Sequence, residues 1–328
     1  MAAALRSAIA TAGWASEPPS DPRSPDAYIA LLHVLYECGR RDLPLGRLLE
    51  GHVDAVQIVQ RYGTDDQRTR LRHAVASGAR LGVWNAGLAG QPLQLNGSVL
   101  SGGKSYASGA GVLTHALVTA DRPDGAQLVL LDLARSVPAI DRDWWRVTGM
   151  QRSETHQVRW HDAGVADTDH IGPAGAYARE PWFSGGALRF VAVHAGGIAG
   201  ICDLTRDHLL QTGRADDPFQ SARLAELFAL ADRAASVVRR TARLWFDDTA
   251  TEEARLARVA AARLTVTEAA ERAIAVAQSA VGLAGQFLTH PLSAMLSDLA
   301  VYLRQPVPDA QRLRVGRAVQ AGLLAPSL

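Results

Sequence analysis

Few of the 328 residues stand in patterns that chemistry would demand. Histidines come singly, among them His33, His52 and His73 early, His156 and His161 mid-chain, and His194 and His290 later. None forms a His-x-x-x-His pair or joins a cysteine in a zinc pattern, so each reads as a satisfied histidine rather than a ligand. Cys38 and Cys202 each lie in an apolar helical pattern and read as reduced, buried thiols rather than a disulfide. Gly-x-Ser-x-Gly, the phosphate-binding P-loop and the dinucleotide Gly-x-Gly-x-x-Gly are absent. Gly282-Leu283-Ala284-Gly285 lets a main chain approach a diphosphate closely, or simply ends a helix. The run Arg239, Arg240, Arg243 is interrupted by Thr241, Ala242 and Leu244, which suits a solvated helix face better than a phosphate site.

The elements that must position these residues follow from periodicity. Trp14 to Pro25 holds four prolines and makes 1–25 an irregular lead-in. Ile29, Leu32, His33 and Tyr36 then share one helix face, and Leu45, Leu48, Leu49, Val53, Val56 and Val59 mark a second helix ending near Gly63. Thr64 and Gln67 have capping-box spacing for a third, through about Ala76. From Leu81 the pattern shortens to strand-like runs at Leu81–Trp84, Leu93–Leu95, Ala116–Thr119, Gln127–Leu131 and His156–Trp160, with a hairpin turn at Asp121 to Gly125. Helical spacing returns after Gly186, predicting helices at about 187–211, 218–246, 251–282, 290–304 and 309–322, an antiparallel bundle. The division is therefore a helical domain at 1–79, an antiparallel β-domain at 80–185 and a helical bundle at 186–328.

Composition adds bounds. The chain is 48% hydrophobic and 20% charged with net charge +1, ordinary for a globular protein and without broad electrostatic attraction for nucleic acid. The alanine-rich start lacks a signal-peptide core, and no apolar run approaches the ~18 residues of a membrane span. A cytoplasmic protein with no membrane or nucleic-acid partner is expected.

Five local motifs, in order, narrow the fold. They are Arg61-Tyr62-Gly63-Thr64-Asp65-Asp66-Gln67-Arg68 with Ala76-Ser77-Gly78; Gly103-Lys104-Ser105-Tyr106-Ala107-Ser108-Gly109; Gly149-Met150-Gln151-Arg152-Ser153-Glu154-Thr155; Gly282-Leu283-Ala284-Gly285; and Pro291-Leu292 with Asp298-Leu299. Their order resembles the FAD-dependent acyl-CoA dehydrogenases, over about 61–304. The resemblance implies an α+β fold: a small N-terminal helical domain, a central antiparallel β-domain and a C-terminal helical bundle.

By that resemblance Tyr106 stands where the family sets a tryptophan against the flavin ring, and Ser108 where a threonine hydroxyl approaches flavin N5. Trp84, Asn85 and Ala86 stand on the flavin-facing strand; the plainer alternative makes Trp84 and Tyr106 core aromatics. Gly282 and Gly285 would approach the cofactor or a second subunit. Arg214 occupies the place of an arginine that reaches a neighbouring subunit's FAD diphosphate, and Gln220 that of a helix-start glutamine. No catalytic base is assigned. The family's glutamate positions correspond here to the Arg304-Gln305-Pro306-Val307-Pro308 stretch and to Leu188 before Arg189, neither acidic. Asp309 reads as a helix cap, and Asp203 is the nearest acid to the second position.

The loop between Trp84 and Lys104 is compressed to Gly87-Leu88-Ala89-Gly90-Gln91-Pro92, and the N-terminal domain is short. Three functions are consistent with these departures: an FAD-dependent oxidoreductase of an acyl thioester, acyl-CoA or related small molecule; a flavin-dependent monooxygenase on the same scaffold; or a non-catalytic partner subunit. The resemblance implies a homodimer or homotetramer, or a hetero-oligomer with a homologue.

Overall fold

The computed structural model describes residues 1–305 and 307–326. Its elements run α1 (Ala2–Thr11), α2 (Pro25–Arg41), α3 (Leu43–Tyr62), α4 (Asp65–Ala76), then β1 (Leu81–Trp84), β2 (Gln94–Asn96), β3 (Val99–Ala107), β4 (His115–Ala120), β5 (Gln127–Asp132), β6 (Ala139–Asp141), β7 (His156–Gly164) and β8 (His170–Ile171). The bundle follows as α5 (Trp182–Gly185), α6 (Ala187–Gln211), α7 (Pro218–Leu244), α8 (Glu252–Val281), α9 (Pro291–Tyr302) and α10 (Pro308–Gln320). The expected helices after Gly186 lie within two residues of these bounds. Pro306, in one expected glutamate position, lies outside the described residues.

Contacts divide the chain into two compact units. The first comprises Met1–Asp21, Arg47–Val147 and Gln151–Arg179. It holds two four-stranded sheets, ordered β1-β4-β5-β8 and β2-β3-β7-β6. Ala55, Val56 and Val59 of α3 and Leu71 and Val75 of α4 pack on Leu81, Leu117, Leu128 and Ile171 of the first sheet. The capping box at α4 forms as its spacing predicts: Gln67 N donates to Thr64 Oγ1 (3.3 Å) and Thr64 N to Gln67 Oε1 (2.8 Å). The amide of Gln67 also donates to the carbonyls of Thr168 (2.9 Å) and His170 (2.6 Å), tying the helix start to β8. The hairpin β4–β5 pairs His115 with Asp132 through Ala120 with Gln127, leaving the expected turn between.

Three expectations change. The strand pairing is antiparallel apart from β1 with β4, which is parallel because the chain leaves for β2 and β3 in the other sheet before returning. The lead-in at 1–25 is not irregular throughout, since α1 buries Leu5 and Ile9 through a stripe too short to register as periodic. The stretch Trp182–Gln211 is apolar and long enough, by length and composition, to cross a membrane, and 72% of its most apolar window is buried inside the protein. A core helix produces that pattern as readily as a span does.

The second unit comprises Pro22–Gly46, Thr148–Met150 and Glu180–Leu328. Its α2 and α6 pack backbone to backbone: a Cβ on Gly196 would collide with the Tyr36 carbonyl, and one on Gly200 with that of Arg40. Glycine at these helical positions costs about 1 kcal/mol each in propensity, offset here by the close approach. Arg40 Nε donates to Asp203 (2.6 Å) across the same helix pair. Two motifs far apart in sequence meet where Met150 N donates to Asp298 Oδ1 at 2.5 Å.

Candidate functional site

In the first unit, the segment after β1 runs beside the end of β3, and five of the residues singled out in the sequence come together there. Gly87 bridges Lys104. Ser105 N donates to Ala86 O (2.9 Å) and Trp84 Nε1 to Ser108 O (2.9 Å). Lys104 Nζ donates to Asn85 O and to Thr119 Oγ1, both at 2.9 Å. Thr119 Oγ1 in turn donates to Asn85 Oδ1 (2.9 Å). Lys104 is the chain's single lysine, is 3% exposed, and burial presses its ammonium down to about 8 against a weaker opposing pull from Asp121. The network fixes the Asn85–Ala86 main chain while leaving both residues exposed.

The pairing of β3 with β7 slips between Lys104 and Ala107, and within that slip Tyr106 takes φ +53°. A bulge of this kind re-aims a side chain, and a bulky residue at positive φ is held there only by its surroundings. The Tyr106 ring stands 59% exposed. Two residues on, Ser108 ends a hydroxyl chain: Ser153 Oγ lies 2.8 Å from Thr155 Oγ1, which donates to Ser108 Oγ at 3.1 Å. Among the described residues Ser108's own proton has no acceptor, so it is available to a ligand.

Trp84 resolves toward the plainer alternative. Its ring is 1% exposed and packs 6.2 Å from Trp160, so the indole is a core side chain. The Tyr106 ring, by contrast, is exposed.

Sequence reasoning missed the loop after β6 and the turn before β7. Trp144 meets Tyr106 edge-on at 4.9 Å, and Trp145 lies 5.8 Å from Trp144 in a stacked pose. Glu154 Oε2 accepts from Arg142 Nη1 (3.1 Å) and lies 3.1 Å from His156 Nε2. The adjacent Trp144-Trp145 pair was the available signal. Periodicity could not use it, because loops have none.

The remaining four residues lie in the second unit. Arg214 is exposed in the turn after α6. Gln220 sits in the first turn of α7, where Asp217 caps its backbone N–H (3.0 Å); it is 3% exposed, and its Oε1 has no partner among the described residues. Gly282 ends α8 at φ +72° with open space where a Cβ would be, so its main chain is approachable. Gly285 is instead packed, with Val281 Cγ1 3.0 Å from an added Cβ. Nearby, His290 Nδ1 accepts from Leu292 N (3.2 Å), so its Nε2 carries the proton toward His208 Nδ1 at 3.1 Å. Burial, then His290 and Arg214, hold His208 below the ordinary imidazole value.

The fold is α+β, with an acyl-CoA dehydrogenase-like architecture. No protein-family profile matches the chain, and no curated protein does. Solved structures do match. Dibenzothiophene monooxygenase (TdsC) from Paenibacillus sp. A11-2 is 17% identical, with 98% of this chain and 97% of that one covered and a TM-score of 0.78. Glutaryl-CoA dehydrogenase from Mycobacterium smegmatis is 14% identical over 98% of this chain and 89% of that one, TM-score 0.78. Nitrososynthase from Micromonospora carbonacea var. africana is 20% identical over 91% and 82%, TM-score 0.72. At such identities the likeness is one of fold.

Proposed function

We propose that the chain is a flavin-dependent oxidoreductase of the oxygen-using kind, a monooxygenase rather than an acyl-thioester dehydrogenase. The observation that carries this reading is the Tyr106–Ser108 edge. An exposed ring and a hydroxyl with a free proton stand two residues apart, beside the exposed amide of Asn85. A flat aromatic wall and hydrogen-bond donors at its rim are what an isoalloxazine ring requires of a protein, and the bound flavin supplies the two-electron redox chemistry.

Dehydrogenation of a thioester also needs a carboxylate to take the α-proton. Of the acids at this edge, Glu154 is already engaged by Arg142 and His156, and Asp143 faces Arg146 (3.7 Å). Position 188 holds a leucine that is fully buried. Fold neighbours support the reading from outside: one solved form of TdsC is FMN-bound, and another is a complex with FMN and indole. In this chain Asn85 and Ala86 would hold the ring edge, Tyr106 its face, and Ser108 would donate to it. If the flavin is FAD rather than FMN, Arg214 and the open main chain at Gly282 are suited to the diphosphate of a neighbouring subunit's FAD. Exposed Leu283, Phe287 and Leu288 beside Gly282 support self-association, as a homodimer or homotetramer.

The test is reconstitution. The purified chain is titrated with FMN and with FAD, then supplied with reduced flavin and oxygen. Saturable uptake with substrate-dependent oxygen consumption is expected. A protein that takes up neither flavin sinks the proposal, and bleaching of bound flavin by an acyl-CoA would return it to the dehydrogenases.

A further inference from the structure

We propose that Trp144 and Trp145, braced edge-on by the ring of Tyr106, form a binding wall for a flat, fused-ring aromatic substrate. The proposal rests on the flavin reading above and assigns the substrate class that reading leaves open.

Three large rings meet at one edge of the β-domain. Tyr106 lies 4.9 Å from Trp144 and 6.3 Å from Trp145, edge-on to both, and the two indoles stack at 5.8 Å with 29° between their planes. Tyr106 is 59% exposed, and both tryptophans are half-buried rather than core. Side chains of this size are normally sunk into a core or matched to a ligand. Holding Tyr106 outward also requires its left-handed backbone, φ +53°.

The loop is set before any ligand arrives. Arg146 N donates to Trp144 O (2.9 Å), Arg146 Nε donates to Asp143 O (3.0 Å), and Arg142 anchors to Glu154 (3.1 Å). A wall ordered in advance loses little entropy on binding. The chemistry it offers is aromatic edges and faces, which favour another π-system over an aliphatic chain. Both arginines of the loop already have carboxylate neighbours, Glu154 for Arg142 and Asp143 for Arg146 (3.7 Å). Little positive charge is left over for the phosphates of a coenzyme A, which favours an uncharged fused ring.

The experiment uses the full chain and indole as the probe. Indole binding is followed by saturation-transfer NMR, and FMN binding by flavin fluorescence in parallel. Wild type is expected to bind indole, Trp144→Leu and Trp145→Leu to weaken it roughly tenfold, and Trp144→Phe to recover most of the loss. FMN affinity should stay within about twofold throughout. No indole binding by wild type, or equal binding by the leucine variants, overturns the proposal; so does butyryl-CoA binding that the same leucine substitutions weaken. Tryptophan-dependent indole binding in a chain that takes up no flavin would leave the wall standing and remove the flavin reading alone.

Discussion

Lys104 allows a quantitative test of how the site is built. Its ammonium is 3% exposed and has two neutral acceptors, the Asn85 carbonyl and the Thr119 hydroxyl, and no carboxylate bonded to it. Burial therefore brings it from the ordinary 10.5 to about 8. Between those pH values the unfolded chain keeps a proton that the folded chain has released. Stability must then rise with pH, by about 1.4 kcal/mol per pH unit and about 3 kcal/mol across the window at most. Below pH 8 both states are protonated and the term is flat.

The perturbation is Lys104→Met, which keeps the stem and removes the titrating group. Urea unfolding followed by circular dichroism at pH 7, 8, 9 and 9.5 would compare the two proteins. Burial pushes Cys38 up to about 12 and also raises Cys202 and Tyr36, so these groups lower stability in the alkaline range. They are common to both proteins and cancel in the difference. The gap between wild type and variant is expected to move in favour of wild type by about 1.5 kcal/mol between pH 8 and 9.5. Parallel curves for the two proteins would refute the argument, because they would mean that Lys104 does not titrate there.

Other outcomes follow from the same structure. Tyr106→Ala should weaken FMN binding about tenfold, the loss of about 1.4 kcal/mol of ring contact, while circular dichroism stays unchanged. Gly196→Ala should lower stability by about 1–3 kcal/mol in urea unfolding, since its methyl meets the Tyr36 carbonyl and α2 must move off α6. Thr64→Ala removes the hydroxyl cap of α4 and should cost about 1 kcal/mol by the same assay. If exposed Leu288 lies in a subunit contact, Leu288→Glu should shift the mass measured by light scattering toward monomer; an unchanged mass removes that residue from the contact.

Periodicity places most helices and strands, because burying one face of an element writes a period of 3.6 or 2 into the residues. The α4 capping box was legible for the same reason: Thr64 and Gln67 satisfy each other within a single turn. Order of motifs carried the architecture. What periodicity could not reach was anything set by residues distant in the chain. The long strand β3 is not legible from alternation because Gly102, Gly103 and two register slips interrupt it. The parallel pairing of β1 with β4 depends on where the intervening chain goes, which no local pattern states. The site divides along the same line. Tyr106 and Ser108 are identifiable as a motif, but it is packing that turns the Tyr106 ring outward and seals Trp84 in the core. Burial is a property of all the neighbours at once. The free proton on Ser108 likewise depends on Thr155, 47 residues away, donating to its oxygen. The Trp144–Trp145 wall comes from a loop, whose conformation leaves no period to read.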